Sequence, residues 1–490
     1  MPALLAGLPI LVVLLAMAVL HWRAALAGAA GLGVAMALAW GGGALGAGLL
    51  AGVMGEAASS TAAILWIILP ALAIYELQAR VGALDRLRAA LARLSDDRAV
   101  QALLIAWFFG LFMEGAAGFG TPVALAAPLL VGLGFGPVRA VALALLGHAA
   151  GVSFGAVGTP ALAQVAMLGL PPQALAGWTM SLHALPMGLL ALAVMRLASD
   201  GPLTRRQVGL GLLAAACFLL PALALAWLAG PELTTLGGAL AGGAVFALLV
   251  RRRPAGAKAP PWRLADLARD LAPYLLILGL VLATRLIGPV QQALSGLWLG
   301  WQWQGYGGGI APLYHPGSLL ALGLVLSVLL SGRGHALRPA IGAALRRLAP
   351  VALALLVMLV LARLMVHAGM IDRLAEGAAR AGPLWPLLAP MIGALGTFVS
   401  GSATASNILF TDFQAATARA LDLPALPMIA AQGVGAAIGN AVAPHNIIAG
   451  AATVGLTGRD GAVLARTLAP VLVHATAVGA LVVLVVTLHP

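Results

Sequence analysis

The sequence contains one cysteine, Cys217, one lysine, Lys258, and charged side chains at only 9% of its 490 positions. A single cysteine rules out an intrachain disulfide and any cysteine-based metal or redox motif. So few charges rule out an ordinary soluble domain, in which about 25% of residues are charged. No H-E-x-x-H pair, Walker A lysine, paired His/Cys spacing or heptad run occurs. Gly151-Val-Ser153-Phe-Gly155 fits the G-x-S-x-G pattern. A nucleophile elbow needs a strand before the serine, however, and this copy lies inside an apolar helical run. These absences argue against an enzyme, and no cofactor or metal is expected.

What is present is apolar: 62% of residues are hydrophobic and the mean hydropathy is +1.04. Long apolar runs fall near 3–20, 24–41, 62–79, 178–197, 207–228, 233–250, 271–287, 317–332, 347–367 and 467–487. A helix needs about 20 such residues to cross a bilayer. The fold class is therefore an all-α polytopic membrane protein, with the lipid bilayer as its main partner. The formal charge of +12 does not point to nucleic acid, because arginines in short loops follow from the positive-inside rule. The stretch 3–20 has no basic segment before it and is followed by His21-Trp22-Arg23, so it reads as a retained span and not a cleaved signal.

The loop charges orient the spans. Arg80, Arg86, Arg88, Arg93 and Arg98 share one loop, and Arg196, Arg205 and Arg206 the next basic one. Arg251, Arg252, Arg253, Lys258, Arg263 and Arg269 make a long basic loop, and Arg333, Arg338, Arg346 and Arg347 another. All fall on one side if 137–169 and 424–456 each cross once while 99–135 and 383–423 each enter and return. Trp298, Trp301, Trp303, Tyr306 and Tyr314 then lie opposite, as an interfacial aromatic belt. This arrangement has about twelve transmembrane helices, two re-entrant hairpins and both termini outside.

Self-similarity sharpens the picture. Gly82-Ala-Leu-Asp85-Arg86-Leu87 recurs as Gly369-Met-Ile-Asp372-Arg373-Leu374, an offset of 287 from 82 to 369. Glu114-Gly-Ala-Ala-Gly-Phe-Gly-Thr121 matches Ser400-Gly-Ser-Ala-Thr-Ala-Ser-Asn407 in position, and Gly155 and Pro160 match Gly439 and Pro444. An odd number of crossings separates the copies, so the topology makes them inverted repeats. The expected organisation is N-terminal helices in 1–61, then a first repeat in 62–200 with its hairpin near 99–135 and broken helix near 137–169. Connecting helices with the basic loop 251–270 fill 201–346. The second repeat occupies 347–490, with its hairpin near 383–423 and broken helix near 424–456.

Irregular backbone inside a membrane is tolerated only where it lines a cavity or is buried in protein. Four interruptions therefore mark the candidate site. Gly115–Gly120 ends at Thr121-Pro122, and Gly158-Thr159-Pro160 repeats that grammar. Ser406-Asn407 precedes Ile408-Leu409-Phe410, and Pro444 follows Gly439-Asn440. Each reads as a helix start, with Thr or Ser/Asn as cap and Pro in the first turn. Helix N-termini attract anions. The candidate substrate-binding residues are Gly118, Gly120, Thr121, Thr159, Ser402, Thr404, Ser406, Asn407, Asn440, His445 and Asn446. Buried carboxylates are scarce, since an acid at the bilayer centre costs about 2.5–3.5 kcal/mol. Glu114, beside the first hairpin tip, is the candidate proton carrier, with Glu56 and Asp412 as weaker ones. His148, His183, His367 and His474 read as packed or interfacial, and Arg285 and Arg363 as snorkelling.

Glu114-Gly-Ala-Ala-Gly-Phe-Gly-Thr-Pro-Val-Ala124 followed by Leu129-Leu-Val-Gly-Leu-Gly-Phe135 resembles the signature of the bacterial L-lactate permease family. Ser400–Asn407, Ala443-Pro-His-Asn-Ile-Ile-Ala449 and Ala452-Thr-Val-Gly-Leu456 resemble its second-half motifs. The resemblance implies proton-coupled uptake of L-lactate, and of D-lactate and glycolate, across a bacterial inner membrane. More remotely, the chain resembles hairpin-containing carboxylate carriers of the elevator type. It departs from the family at Ala403, where an Asp is common, which excludes an acid's role there. The alternatives are a carrier of another organic acid, Na⁺ coupling through carbonyls and hydroxyls at the hairpin tips, a membrane-embedded enzyme and a passive channel. Assembly with further copies of the chain stays open.

Overall fold

A computed structural model describes residues 2–92, 94–250, 264–456 and 458–488. Arg93, Arg251, Arg252, Arg253, Lys258 and Arg263 of the basic loops lie outside the described residues. Twelve described helices are long and apolar enough to cross a membrane. They differ from the twelve read from apolar runs. The run 3–20 is split into Ala3–Ala6 and Leu8–Ala18, and 317–332 forms Pro316–Ser331, all shorter than a full crossing. In their place stand Arg98–Ala116 and Met370–Ser400, which lead into the two hairpin turns. The runs at 62–79 and 347–367 are the far ends of longer helices, Ala47–Arg80 and Leu337–His367.

The interrupted segments form the core. Arg98–Ala116, Pro137–Leu168 and Ala425–Thr453 have 89, 100 and 83% of their apolar windows buried, against 28% for the peripheral Ala24–Gly41. Around them, Ala47–Arg80 packs along Leu337–His367, and Pro172–Ala198 along Asp460–Leu488. The element order recurs: a long helix, a short one opening on the G-x-x-D-R-L motif, a hairpin, a broken helix and another long helix.

Both hairpins close on themselves. In the first, Arg98 Nη2 donates to Gly134 O at 2.8 Å and its guanidinium lies 4.1 Å from the Phe135 ring centre, joining its two ends. In the second, Trp385 Nε1 donates to Gln414 Oε1 at 3.0 Å and Ser406 Oγ to Gly393 O at 2.8 Å, an antiparallel register. This hairpin sits unusually close to the helix Ala425–Gly439. A Cβ on Gly393 would meet the backbone of Gln432, one on Gly435 that of Pro390, and one on Gly439 that of Ala394. Small residues let the backbones approach where lipid supplies no hydrophobic drive between helices.

The basic loops meet at one face of the molecule. Asp270 accepts from Arg86 Nε and Nη2 and from Arg333 Nη2, each at 2.7 Å. Arg206 pairs with Asp97, Arg139 with Asp200 and Arg347 with Glu76. Asp200 is fully exposed, and the hydrogen bond and charge of Arg139 hold its carboxyl below the ordinary carboxylate range. At the other end, His367 meets Glu56 at 2.9 Å, and the short helix Met370–Ala378 packs on Ala3–Ala6.

The aromatic belt takes an unexpected form. Leu299–Trp303 and Tyr306–Ile310 form an antiparallel ribbon with Trp303 opposite Tyr306. Its turn residues, Gln304 and Gly305, both have positive φ, as a type I′ hairpin requires. Trp301 and Tyr306 lie over Gly55 and Gly52 of the helix Ala47–Arg80, and Glu56 Oε1 accepts from Gly307 N at 3.4 Å. Glycines one turn apart make the flat seat that the rings need.

Gly435→Val should destabilise the protein by about 1–3 kcal/mol or more, since it forces apart two backbones in contact. Gly33→Val, which has open space around it, should cost far less. Thermal unfolding in detergent measures both.

Candidate functional site

The first hairpin turns through Gly118, Phe119 and Gly120, all at positive φ (56, 50 and 78°). Gly120, not Thr121, is the residue before the helix Thr121–Gly132. The Thr121 hydroxyl donates back to Gly118 O at 2.7 Å. The first broken helix repeats this arrangement. Pro137–His148 runs into a 3₁₀ turn, Ala149–Phe154, and regular helix resumes only after Ala156, Val157 and Gly158. These three have φ of 43, 56 and 84°, and Thr159 Oγ1 donates to Ala156 O at 2.7 Å. Both threonines thus tie down the turn before them instead of capping a helix, and their protons are committed. Positive φ at a β-branched Val157 is strained, by about 1–3 kcal/mol, and persists only where its surroundings fix it.

In the second half, helix begins five residues earlier than the sequence suggests. Ser402 is the cap of Ala403–Ala420, accepting from Ala405 N at 3.3 Å after Gly401 turns at φ 68°. Ser406 and Asn407 therefore lie within the helix and are buried. Ser406 accepts from Gln432 Nε2, and Asn407 Nδ2 donates to Pro160 O at 3.0 Å. Asn407 Oδ1 is buried without a partner. Asn446 Nδ2 reaches Asn440 O at 3.2 Å and Gly401 O at 3.5 Å, and the His445 ring lies over Gly401. Thr404 is buried but makes no side-chain hydrogen bond among the described residues.

The four interruptions meet. Gly118 lies against Ala156, and Gly155 is held so close to Glu114 that a side chain there would collide with the carboxyl. Glu114 Oε2 is 3.8 Å from His148 Nε2, and the Asn440 side chain adjoins the same ring. His148 Nδ1 donates to Ala144 O at 2.6 Å, so that in a neutral ring Nε2 is the acceptor. Val152, Ala403, Ala436 and Ala437 pack together and join the first break to the second hairpin. The pairing is reciprocal: Gly155–Leu168 packs on Ala403–Ala420, and Pro444–Thr453 on Thr121–Gly132. Gly120 has open space around the position a side chain would take.

Several residues gained partners that spacing alone did not reveal. Ser153, His183 and His474 form a buried chain, with Ser153 Oγ 2.9 Å from His183 Nε2 and His183 Nδ1 3.1 Å from His474 Nε2. Gln164 donates to Thr411 and Ile429, and Gln414 to Gln432. Arg363 does not snorkel. It donates to the carbonyls of Ala166 and Met167 and lies 3.8 Å from Glu56. Arg285 is buried against Glu232. Asp412 Oδ2 is buried and unpartnered. The signal for all of these was an isolated polar residue in an apolar run; their partners lie tens to hundreds of positions away.

Twelve apolar helices among the described residues, the interrupted ones at their centre with polar groups buried where they meet, are the architecture of a polytopic membrane transporter. The chain belongs to the L-lactate permease family, whose pattern matches residues 2–260 and 310–489. It is 29% identical to the L-lactate permease of Streptococcus iniae, over 86% of this chain and 92% of that one. It is 28% identical to the glycolate permease GlcA of Escherichia coli K12, over 86 and 84%. Among solved structures, the YdaH transporter of Alcanivorax borkumensis has a similar fold, with a TM-score of 0.50 and 14% identity over 91% of this chain and 88% of that one.

Asn407→Ala leaves the buried Pro160 carbonyl without its donor and should cost about 1–3 kcal/mol. Thr404→Ala removes no hydrogen bond and should be close to neutral. Equal unfolding temperatures for the two variants would show that the Asn407 tether does not hold the break.

Proposed function

We propose that this multi-pass protein carries L-lactate, and with it D-lactate and glycolate, across a bacterial plasma membrane together with a proton. The names of its relatives support the substrate class. The meeting of two hairpin tips and two helix breaks near Glu114 carries the mechanism, because it gathers polar groups and a buried acid at a single place. Placing a charge in a low-dielectric interior is costly, and protonation removes that cost. A Glu114 that is neutral when the substrate is bound and ionised when it is not would couple the two. His148 Nε2 lies 3.8 Å from the Glu114 carboxyl. Of the residues the sequence singles out, Thr404, His445 and the helix starts at Thr121, Thr159, Ser402 and Pro444 remain the proposed substrate contacts.

The halves are proposed to be inverted repeats. The ends of the first hairpin lie with Asp200 and Arg206 at the basic face. The segment leading to the second lies with Ala3–Ala6 at the other end. If the basic face is cytoplasmic, both termini are outside. The enclosed broken helices, against the paired long helices Ala47–Arg80 and Leu337–His367, suit an elevator in which the former move relative to the latter.

Labelled L-lactate should enter lactate-loaded proteoliposomes by counterflow. Glu114→Gln, which mimics the protonated acid, should keep that exchange but lose accumulation driven by a pH gradient. Undiminished accumulation in the variant would remove Glu114 from the coupling step. Counterflow that requires Na⁺ would replace the proton with a cation.

A further inference from the structure

An ion pair with little exposure stands on the helix that packs against the first helix break. Arg285 Nη2 lies 2.7 Å from Glu232 Oε1, with side chains 5 and 2% exposed. Arg285 sits on the C-terminal turn of Leu264–Leu286, and Glu232 on the first turn of Pro231–Val250. The helix bearing Glu232 is fitted against the break. Thr235 Oγ1 donates to Gly151 O at 2.8 Å, Gly115 lies on the backbone of Leu236, and Gly158 on that of Pro231 and Glu232. Residues 155–158 therefore touch the Glu114 carboxyl at Gly155 and the first turn of the Glu232 helix, by its backbone, at Gly158, while the Glu232 carboxylate itself lies against Gly230.

The pair is not saturated. Glu232 Oε2 is buried with no hydrogen-bond partner among the described residues. Arg285 stacks on the Tyr314 ring at 3.7 Å and gives one long bond, 3.4 Å, to Tyr314 O. A guanidinium has five N–H donors in a fixed fork that suits a carboxylate, so donors remain beyond those given to Glu232 and Tyr314. A pair serving only to hold the fold could be replaced by apolar side chains without loss, because the desolvation of two charges offsets most of their attraction.

We infer that Arg285 is the receptor for the carboxylate of the transported anion, shared between that anion and Glu232 at the flank of the first helix break. This rests on the reading of the protein as a monocarboxylate carrier. Charge bookkeeping fits that reading. Adding an anion to Arg285 makes the buried site one unit more negative, and one proton taken up from the water that accompanies the substrate, onto Glu114 across residues 155–158, restores the charge. Glu232 keeps Arg285 ionised and oriented while the site is empty, yet its negative charge competes with the substrate for the guanidinium.

That competition gives an outcome that a merely structural pair would not. Binding of L-lactate and of glycolate to the purified full chain in nanodiscs is measured by calorimetry, with neutral lactamide as a probe lacking the charge. Arg285→Gln should weaken binding of both acids about tenfold or more, the worth of a charge-assisted hydrogen bond. Arg285→Lys should fall between the two, because an ammonium cannot form the fork. Glu232→Gln should tighten both acids and leave lactamide unbound. Arg285→Gln alone strands a buried carboxylate, so the double variant Glu232→Gln/Arg285→Gln is the control for folding: it should unfold close to the wild-type temperature yet bind as poorly as Arg285→Gln. Wild-type affinity in the double variant, or weaker acid binding in Glu232→Gln, overturns the assignment of Arg285 alone. Failure of the wild-type protein to bind either acid overturns the carrier reading and this inference with it.

Discussion

The structure depends on satisfying backbone polar groups where helices are interrupted inside an apolar bundle. Water that would otherwise hydrogen-bond the free N–H and C=O groups is scarce there, and each unpaired group is costly. The chain solves this by letting the interruptions serve one another. Thr121 and Thr159 tie off carbonyls of their own turns, Asn407 reaches the Pro160 carbonyl from the other half, and Asn446 spans from Gly401 to Asn440. Of these bonds the one from Asn407 crosses between the halves, so the first break takes a donor from the second half. The strained Val157 is tolerated because this bracing fixes it, and the glycines at 118, 120 and 158 take positive φ without steric cost.

The proposed function draws on the same constraint. A place where helix ends converge and charge is expensive is the place where one carboxylate, one anion and one proton can be made to depend on each other. Glu114 lies against Gly155, and the backbone of the helix that carries Glu232 lies against Gly158 of the same short segment. Movement of that segment would alter both surroundings at once, which links binding to any conformational step without a separate signal path.

Much of this was legible in the sequence, for physical reasons. Glycine-rich breaks followed by Thr-Pro or a lone Pro mark helix starts because proline fixes φ and lacks an N–H. The arginine loops that the positive-inside rule places on one side do meet through Asp270, Asp97 and Asp200. Other features were hidden. Threonine before proline reads as a cap, but Gly120 at φ 78° turns the Thr121 hydroxyl back on its own loop. Ser402 and Ser406 are equal as caps by residue type, and only the position of Gly401 selects the first. The ribbon at 299–310 reads as a belt, because tryptophans suit an interface and a strand alike. Arg285 reads as snorkelling because its partner, 53 residues away, cannot be found from spacing.

The central claim is that a monocarboxylate and a proton cross together through this cluster. Its most direct test follows lumenal pH, with a trapped dye, in proteoliposomes given an inward L-lactate gradient in Na⁺-free buffer, against protein-free liposomes as the measure of leak. The account predicts acidification faster than the leak, abolished when unlabelled lactate is equal on both sides. Lactate entry without acidification, or no entry until Na⁺ is added, would contradict it.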